Sequence, residues 1–199
     1  MFVIVAIGMA AALSAQEPTA TGQLKMINCN ACHGPVGNTA VPEWPKVAGL
    51  DEAYIVAQLR AYQAGARPSV LMAPHTRGLS EQEMHELGSV YASRKMSIGK
   101  PAGSDNGLAA QGARIYRSGI PGQQVSACAT CHGPTGDGNP SKGFTRVGGQ
   151  NAAYVVMQLQ AFRSGQRVDP TQTMGRVTAQ MSDDDMRAVA AYIQGLSTP

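Results

Sequence analysis

The word Cys-x-x-Cys-His occurs twice in the chain, as CNACH from Cys29 to His33 and as CATCH from Cys128 to His132. These two words use all four cysteines and half of the four histidines among 199 residues. Aligning the chain on itself through them brings out a duplication. CNACHGPVGN matches CATCHGPTGD, KVAGLDEAYIVAQLRAYQAGAR matches RVGGQNAAYVVMQLQAFRSGQR, and GLSEQEM matches QMSDDDM, with an offset that drifts only from 99 to 102. A duplicated chain folds as two like units, and the repeats predict one over residues 20–98 and another over residues 107–197. The stretch IGKPAGSDNG, rich in Gly, Pro and small polar residues, predicts a linker over residues 99–106.

Both units read as helical. In the first, Asp51 is a candidate N-cap, Tyr54, Ile55, Gln58, Leu59 and Tyr62 recur at helical spacing, and Gly65 supplies a left-handed stop. Asn151 and Gly165 bracket the matching helix of the second unit. Ser80 with Glu83 forms a capping box before the first closing helix, and Ser182 with Asp185 a weaker version before the second. An earlier helix is expected from Leu108 to Arg117, with a shorter counterpart before Cys29. No alternating stretch is long enough for a strand, so the fold class is all-α.

Aromatic residues make up only 5% of the chain, too few for either unit to pack a core around. The doubled word supplies what is missing. Cysteines three apart on a helical turn share one face, suited to adding their thiols across the two vinyl groups of one porphyrin, and the next residue can place an imidazole on the iron. C-x-x-C-H is thus the attachment pattern of c-type haem with His as proximal ligand, here Cys29, Cys32 and His33 in one unit and Cys128, Cys131 and His132 in the other. A porphyrin plate also serves as the apolar centre of a small domain. Three rivals account for less. A zinc site wants its two Cys-x-x-Cys pairs some 15–20 residues apart, a redox dithiol belongs beside a βαβ pattern, and structural disulfides leave both histidines unexplained.

A sixth ligand would close each iron to small molecules, and methionine is the partner where a high potential is wanted. Met72 and Met174 stand out by register, each eight residues before the serine that caps a closing helix, in breaker-rich loops. His75 is the rival in the first unit; its counterpart in the second is Val177. Met26, Met84, Met157, Met181 and Met186 lie in or beside helical patterns and are expected to pack in cores, and His85 to be solvated or capping.

The opening MFVIVAIGMAAALSAQEP predicts an export signal over residues 1–15, although no Lys or Arg precedes its apolar run. Net charge is +3, and the whole excess lies from Lys100 onward, where nine basic residues meet six acidic ones. No basic block interleaves with aromatics, which excludes a nucleic-acid binder. A steered encounter with a protein suits this polarity better, and Arg114, Arg117 and Lys142 are the cations proposed to serve it.

The two CxxCH words followed by GPxG, the WPKVAG and FTRVGG segments, the AYxxxQLxAxxxG helices and a Met before each closing helix together resemble the dihaem cytochrome c4 family over nearly the whole mature chain. The resemblance implies two tandem class I cytochrome c domains related by a pseudo-twofold axis, each with one covalently attached haem c. By position, His33 and Met72 would hold one iron and His132 and Met174 the other. A carbonyl of the PKVAG type of segment would orient each proximal imidazole. Pro45 occupies that place in the first unit, but Thr145 replaces the proline in the second, which predicts a looser loop and a weaker hydrogen bond. Met181 stands where leucine is usual, a volume-conserving exchange. The implied function is electron transfer in the periplasm without catalysis, from a quinol-oxidising cytochrome complex or a dehydrogenase to a terminal oxidase of the cbb3 type, with at most peripheral contact with the membrane. The cytochrome subunit of a larger redox enzyme, such as a sulfide-oxidising flavocytochrome, is the alternative; a haem peroxidase or gas sensor would need one open iron.

Overall fold

The computed structural model describes residues 20–102 and 107–197, so the expected export segment and residues 103–106 of the linker lie outside the described residues. Among the described residues nine α-helices follow in order: α1 (Ala20–His33), α2 (Glu52–Gln63), α3 (Met72–Thr76), α4 (Glu81–Ala92), α5 (Leu108–Ser118), α6 (Ala129–His132), α7 (Ala152–Ser164), α8 (Thr173–Thr178) and α9 (Asp183–Gly195). Among the described residues β pairing is confined to two isolated bridges, Ile120 with Val125 and Asn139 with Phe144. The molecule is all-α, as the periodicity indicates.

Each repeat builds its own core. Leu50, Ile55, Val56, Leu79, Met84, Leu87, Tyr91 and Met96 form one cluster. Ile115, Tyr116, Val125, Val155, Met181, Met186, Val189, Ile193 and Leu196 belong to the other, with no residue shared. Met84, Met181 and Met186 are core residues as expected and Met26 packs against the first cluster. Met157 is not: its side chain is 47% exposed. The helical pattern places it on α7 but does not reveal that this face of the helix points to solvent.

The closing helices start as their sequences indicate. Ser80 accepts from the Glu83 N–H while the Glu83 carboxylate accepts from the Ser80 N–H, and Ser182 with Asp185 makes an equally complete box. Asp51 accepts from the N–H of Tyr54 at the head of α2. Asn151 and Gly165 bracket α7 as expected, but the Asn151 side chain makes no capping bond; its amide donates instead to the carbonyls of Val41 and Trp44 in the other repeat. Gln150 likewise exchanges two 2.8 Å hydrogen bonds with the backbone of Lys46. A potential local cap is thereby spent on joining the halves.

The helix before the first CxxCH is not shorter than its counterpart: α1 runs 14 residues and carries the whole word, whereas α5 spans 11 and ends before it. Gly119 stops α5 at φ 69°, and a Cβ there would lie 2.1 Å from the Val125 carbonyl oxygen. The chain then folds back through the Ile120–Val125 bridge before α6 forms around the second word. On the other face of α5, Gly112 meets α9 so closely that a Cβ would stand 1.9 Å from the Ala188 carbonyl oxygen. Gly112→Ala is therefore expected to force α5 off α9 and destabilise the second half by about 3 kcal/mol. A thermal unfolding midpoint equal to that of the parent would refute this close approach.

Candidate haem sites

The two CxxCH words are positioned by the same local device. Their cysteines are unpaired and half-buried, so no disulfide competes for them. Beyond each word the chain turns at a GPxG segment. Gly37 accepts with its carbonyl from the N–H groups of Val47 and Ala48, and Gly136 accepts from those of Val147 and Gly148. Both glycines have positive φ, and a Cβ on either would fall within 3 Å of the backbone it receives. The clamp delivers one carbonyl to each imidazole: His33 Nδ1 donates to Pro45 O at 2.9 Å and His132 Nδ1 donates to Thr145 O at 2.9 Å. The weakening expected from Thr145 does not occur, because two backbone hydrogen bonds to Gly136 hold the segment and a proline ring is not required.

A carbonyl can only accept, so Nδ1 carries the hydrogen and the lone pair is left on Nε2, the atom a metal would take. Burial lowers the pKa of both imidazoles, and the neutral ring is the ligating form. The carbonyl contact fixes ring orientation and raises ligand basicity. Both sites thus fit a c-type haem, whose iron supplies a one-electron step between ferrous and ferric forms.

Met72 and Met174 occupy matching places at the start of the short helices α3 and α8, and both are half-buried. Two side chains not singled out by the sequence reading hold these turns. Thr76 and Thr178, 1% and 0% exposed, lie one turn beyond and donate to the carbonyls of Met72 and Met174 at 3.2 and 2.8 Å. A threonine four residues after each methionine was the available signal. The turns also begin alike: Ser69 Oγ accepts from the Met72 N–H, and Asp169 accepts from the N–H groups of Met174, Thr173 and Thr171. Burial raises the pKa of Asp169, but these donors and the Thr171 hydroxyl outweigh it and hold the carboxyl below its ordinary value. Asp169→Ala is expected to cost about 1–2 kcal/mol as a lost cap and to loosen Met174, read as a weaker sulfur-to-iron absorption in the ferric protein. An unchanged spectrum would refute the positioning role. His75 is exposed on the last turn of α3, and His85 is exposed with Nδ1 2.9 Å from Glu52.

An all-helical pair of repeats, each presenting two thiols and an imidazole with a carbonyl behind it, defines a dihaem c-type cytochrome. The family model described as Cytochrome c matches residues 109–197. The chain is 37% identical to cytochrome c4 of Pseudomonas aeruginosa over 195 residues, 97% of this chain and 96% of that protein. It superposes with TM-score 0.84 and 37% identity on the crystal structure of reduced recombinant cytochrome c4 from Pseudomonas stutzeri, covering 91% of this chain and 100% of that one. It is also 34% identical to a thiosulfate dehydrogenase electron acceptor of Stutzerimonas stutzeri, over 82% of this chain and 76% of that protein. The chain belongs to the cytochrome c4 family. It is an electron-transfer protein and no enzyme, and it carries two covalently attached haem c groups.

Proposed function

We propose that the protein is a periplasmic shuttle that accepts electrons from a quinol-oxidising complex or a dehydrogenase and delivers them to a terminal oxidase. Its units span residues 20–98 and 107–197, joined by residues 99–106. Cys29 and Cys32 would hold the first haem and Cys128 and Cys131 the second; His33 and Met72 would supply the ligands of one iron, and His132 and Met174 those of the other. The observation that carries this reading is the repeated 2.9 Å contact from imidazole Nδ1 to a loop carbonyl. It fixes the same ligand in the same tautomer twice, as a centre that changes charge without rearranging requires. A dehydrogenase as donor gains support from the likeness to a thiosulfate dehydrogenase electron acceptor.

The second half offers the steering surface. Arg114, Arg117 and Lys142 are exposed and have no carboxylate partner among the described residues. An excess of charge of one sign on a surface raises association rates by roughly 10- to 1000-fold at low ionic strength. Replacing all three with glutamine is expected to slow electron transfer with an acidic partner by about tenfold at low salt, the difference vanishing as salt is raised. Stopped-flow kinetics over a salt series test this; equal rates for parent and variant would remove the second half as the docking face.

A further inference from the structure

Pro45 does not hold His33 alone. Its carbonyl and the Lys46 N–H belong to one peptide unit: the oxygen accepts from His33 Nδ1 at 2.9 Å, and the N–H donates to Gln150 Oε1 of the second repeat at 2.8 Å. Gln150 Nε2 returns a 2.8 Å bond to the Lys46 carbonyl, and Lys46 Nζ also crosses, donating to the Gly149 carbonyl at 3.0 Å. On the other side of Pro45, Asn151 Nδ2 donates to the Trp44 carbonyl at 2.9 Å and to that of Val41 at 3.1 Å, and the Tyr154 N–H donates to that of Pro42 at 3.1 Å. The loop that delivers a carbonyl to the first imidazole is gripped on both flanks by the second repeat.

The converse does not hold. Residues 139–146 lead to the second carbonyl, and among the described residues their hydrogen bonds stay within their own repeat. Asn139 and Phe144 exchange bonds of 2.7 and 3.0 Å, and the Arg146 side chain is tied to Asp137 at 2.6 Å and to the Gly148 carbonyl at 3.2 Å. The Arg146 N–H, which shares a peptide unit with Thr145 O, meets no acceptor from the first repeat among the described residues. The sequence supplies the reason. Leu50 and Asp51 stand where the second repeat has Gln150 and Asn151. Leu50 has no polar side-chain group and lies in the first core, and Asp51 is occupied in capping α2.

Hydrogen bonds in a chain polarise one another, so a peptide N–H that donates leaves its carbonyl oxygen the stronger acceptor. Gln150 is 6% exposed, which places the relay where water does not compete with it. A stronger acceptor behind Nδ1 makes the imidazole a more basic ligand, and a more basic ligand favours ferric iron.

We propose that Gln150, steadied by Asn151, is a positioning residue for the other repeat's haem: through the Pro45–Lys46 peptide it strengthens the hydrogen bond on His33 and lowers the potential of the first iron, with no counterpart acting on the second. The proposal rests on the reading that each repeat holds one haem with its CxxCH histidine on the iron. In redox titrations of the intact holoprotein, followed by the shifted proton resonances of each haem, Q150L is expected to raise the first midpoint potential and leave the second in place. The expected change is about threefold in the ferrous-to-ferric ratio, or about 28 mV at about 59 mV per tenfold change. The His33 Nδ1–H is expected to exchange with deuterium faster than in the parent, and the His132 Nδ1–H at the parent's rate. N151A leaves the Lys46 bonds in place and is expected to shift the first potential in the same direction by a smaller amount. A first potential unchanged in Q150L, or both potentials moved alike, overturns the proposal, because a general loosening of the two halves does not single out one iron. Should Q150L fail to fold, N151A decides on the same terms. An intact mass showing other than two haems would instead defeat the underlying reading.

Discussion

Serine at both Cys128 and Cys131 is expected to yield a protein with one haem, its first half folded and its second half open to protease. The physical reason lies in how little the second half has to pack around. Its buried cluster, Ile115, Tyr116, Val125, Val155, Met181, Met186, Val189, Ile193 and Leu196, includes a single aromatic ring, and the fully buried Ala188 and Ala190 of α9 add little bulk. Where a bound group forms the centre of a small domain, its binding free energy is folding free energy. The expected loss is therefore comparable to the whole stability of such a domain, on the order of 5–15 kcal/mol. The first half shares no core residue with the second and keeps its own site. Intact mass counts the haems, and limited proteolysis locates the unfolded half. A variant lacking the second haem but still resisting protease from Leu108 to Gly195 would show that the polypeptide suffices.

Met174→Ala is expected to open the second iron, so that the reduced protein binds carbon monoxide at one haem where the parent binds none. Thioether ligation favours the ferrous state, and its loss is expected to lower that haem's potential by about 0.1–0.3 V within the roughly 0.8 V that axial ligands span. Met72→Ala is expected to do the same to the first haem, whereas His75→Ala leaves carbon monoxide binding and potential as they were. The reverse pattern, with His75→Ala opening the iron and Met72→Ala silent, would transfer the sixth ligand to the histidine. The two sites report separately, since α3 and α8 belong to different repeats.

Features fixed by short stretches of chain were legible in the sequence. The helix starts at Ser80 and Ser182 depend on a hydroxyl and a carboxylate three residues apart, and the helix stops at Gly65 and Gly165 depend on a left-handed φ that glycine adopts at low cost. The role of Thr76 and Thr178 was within reach, because each stands four residues after its methionine, but a lone threonine on a short helix carries no obligation to face inward. Asn151 marks the start of α7 as its pattern indicates, but where its side chain goes was out of reach. Its type and position suit an N-cap, and only the carbonyls of Val41 and Trp44, 110 and 107 residues away, draw its amide elsewhere.

By itself the sequence determined that the chain is a duplicated, all-helical protein with one CxxCH word per repeat, because thiol spacing, helix caps and glycine turns act within a few residues. Only the tertiary structure decided which carbonyl meets each imidazole, which methionine faces solvent, how α1 and α5 come to differ, and that Gln150 and Asn151 reach across to the first repeat. Those outcomes depend on groups about ten to over a hundred residues apart, where packing and the need to satisfy buried polar groups outweigh local preference.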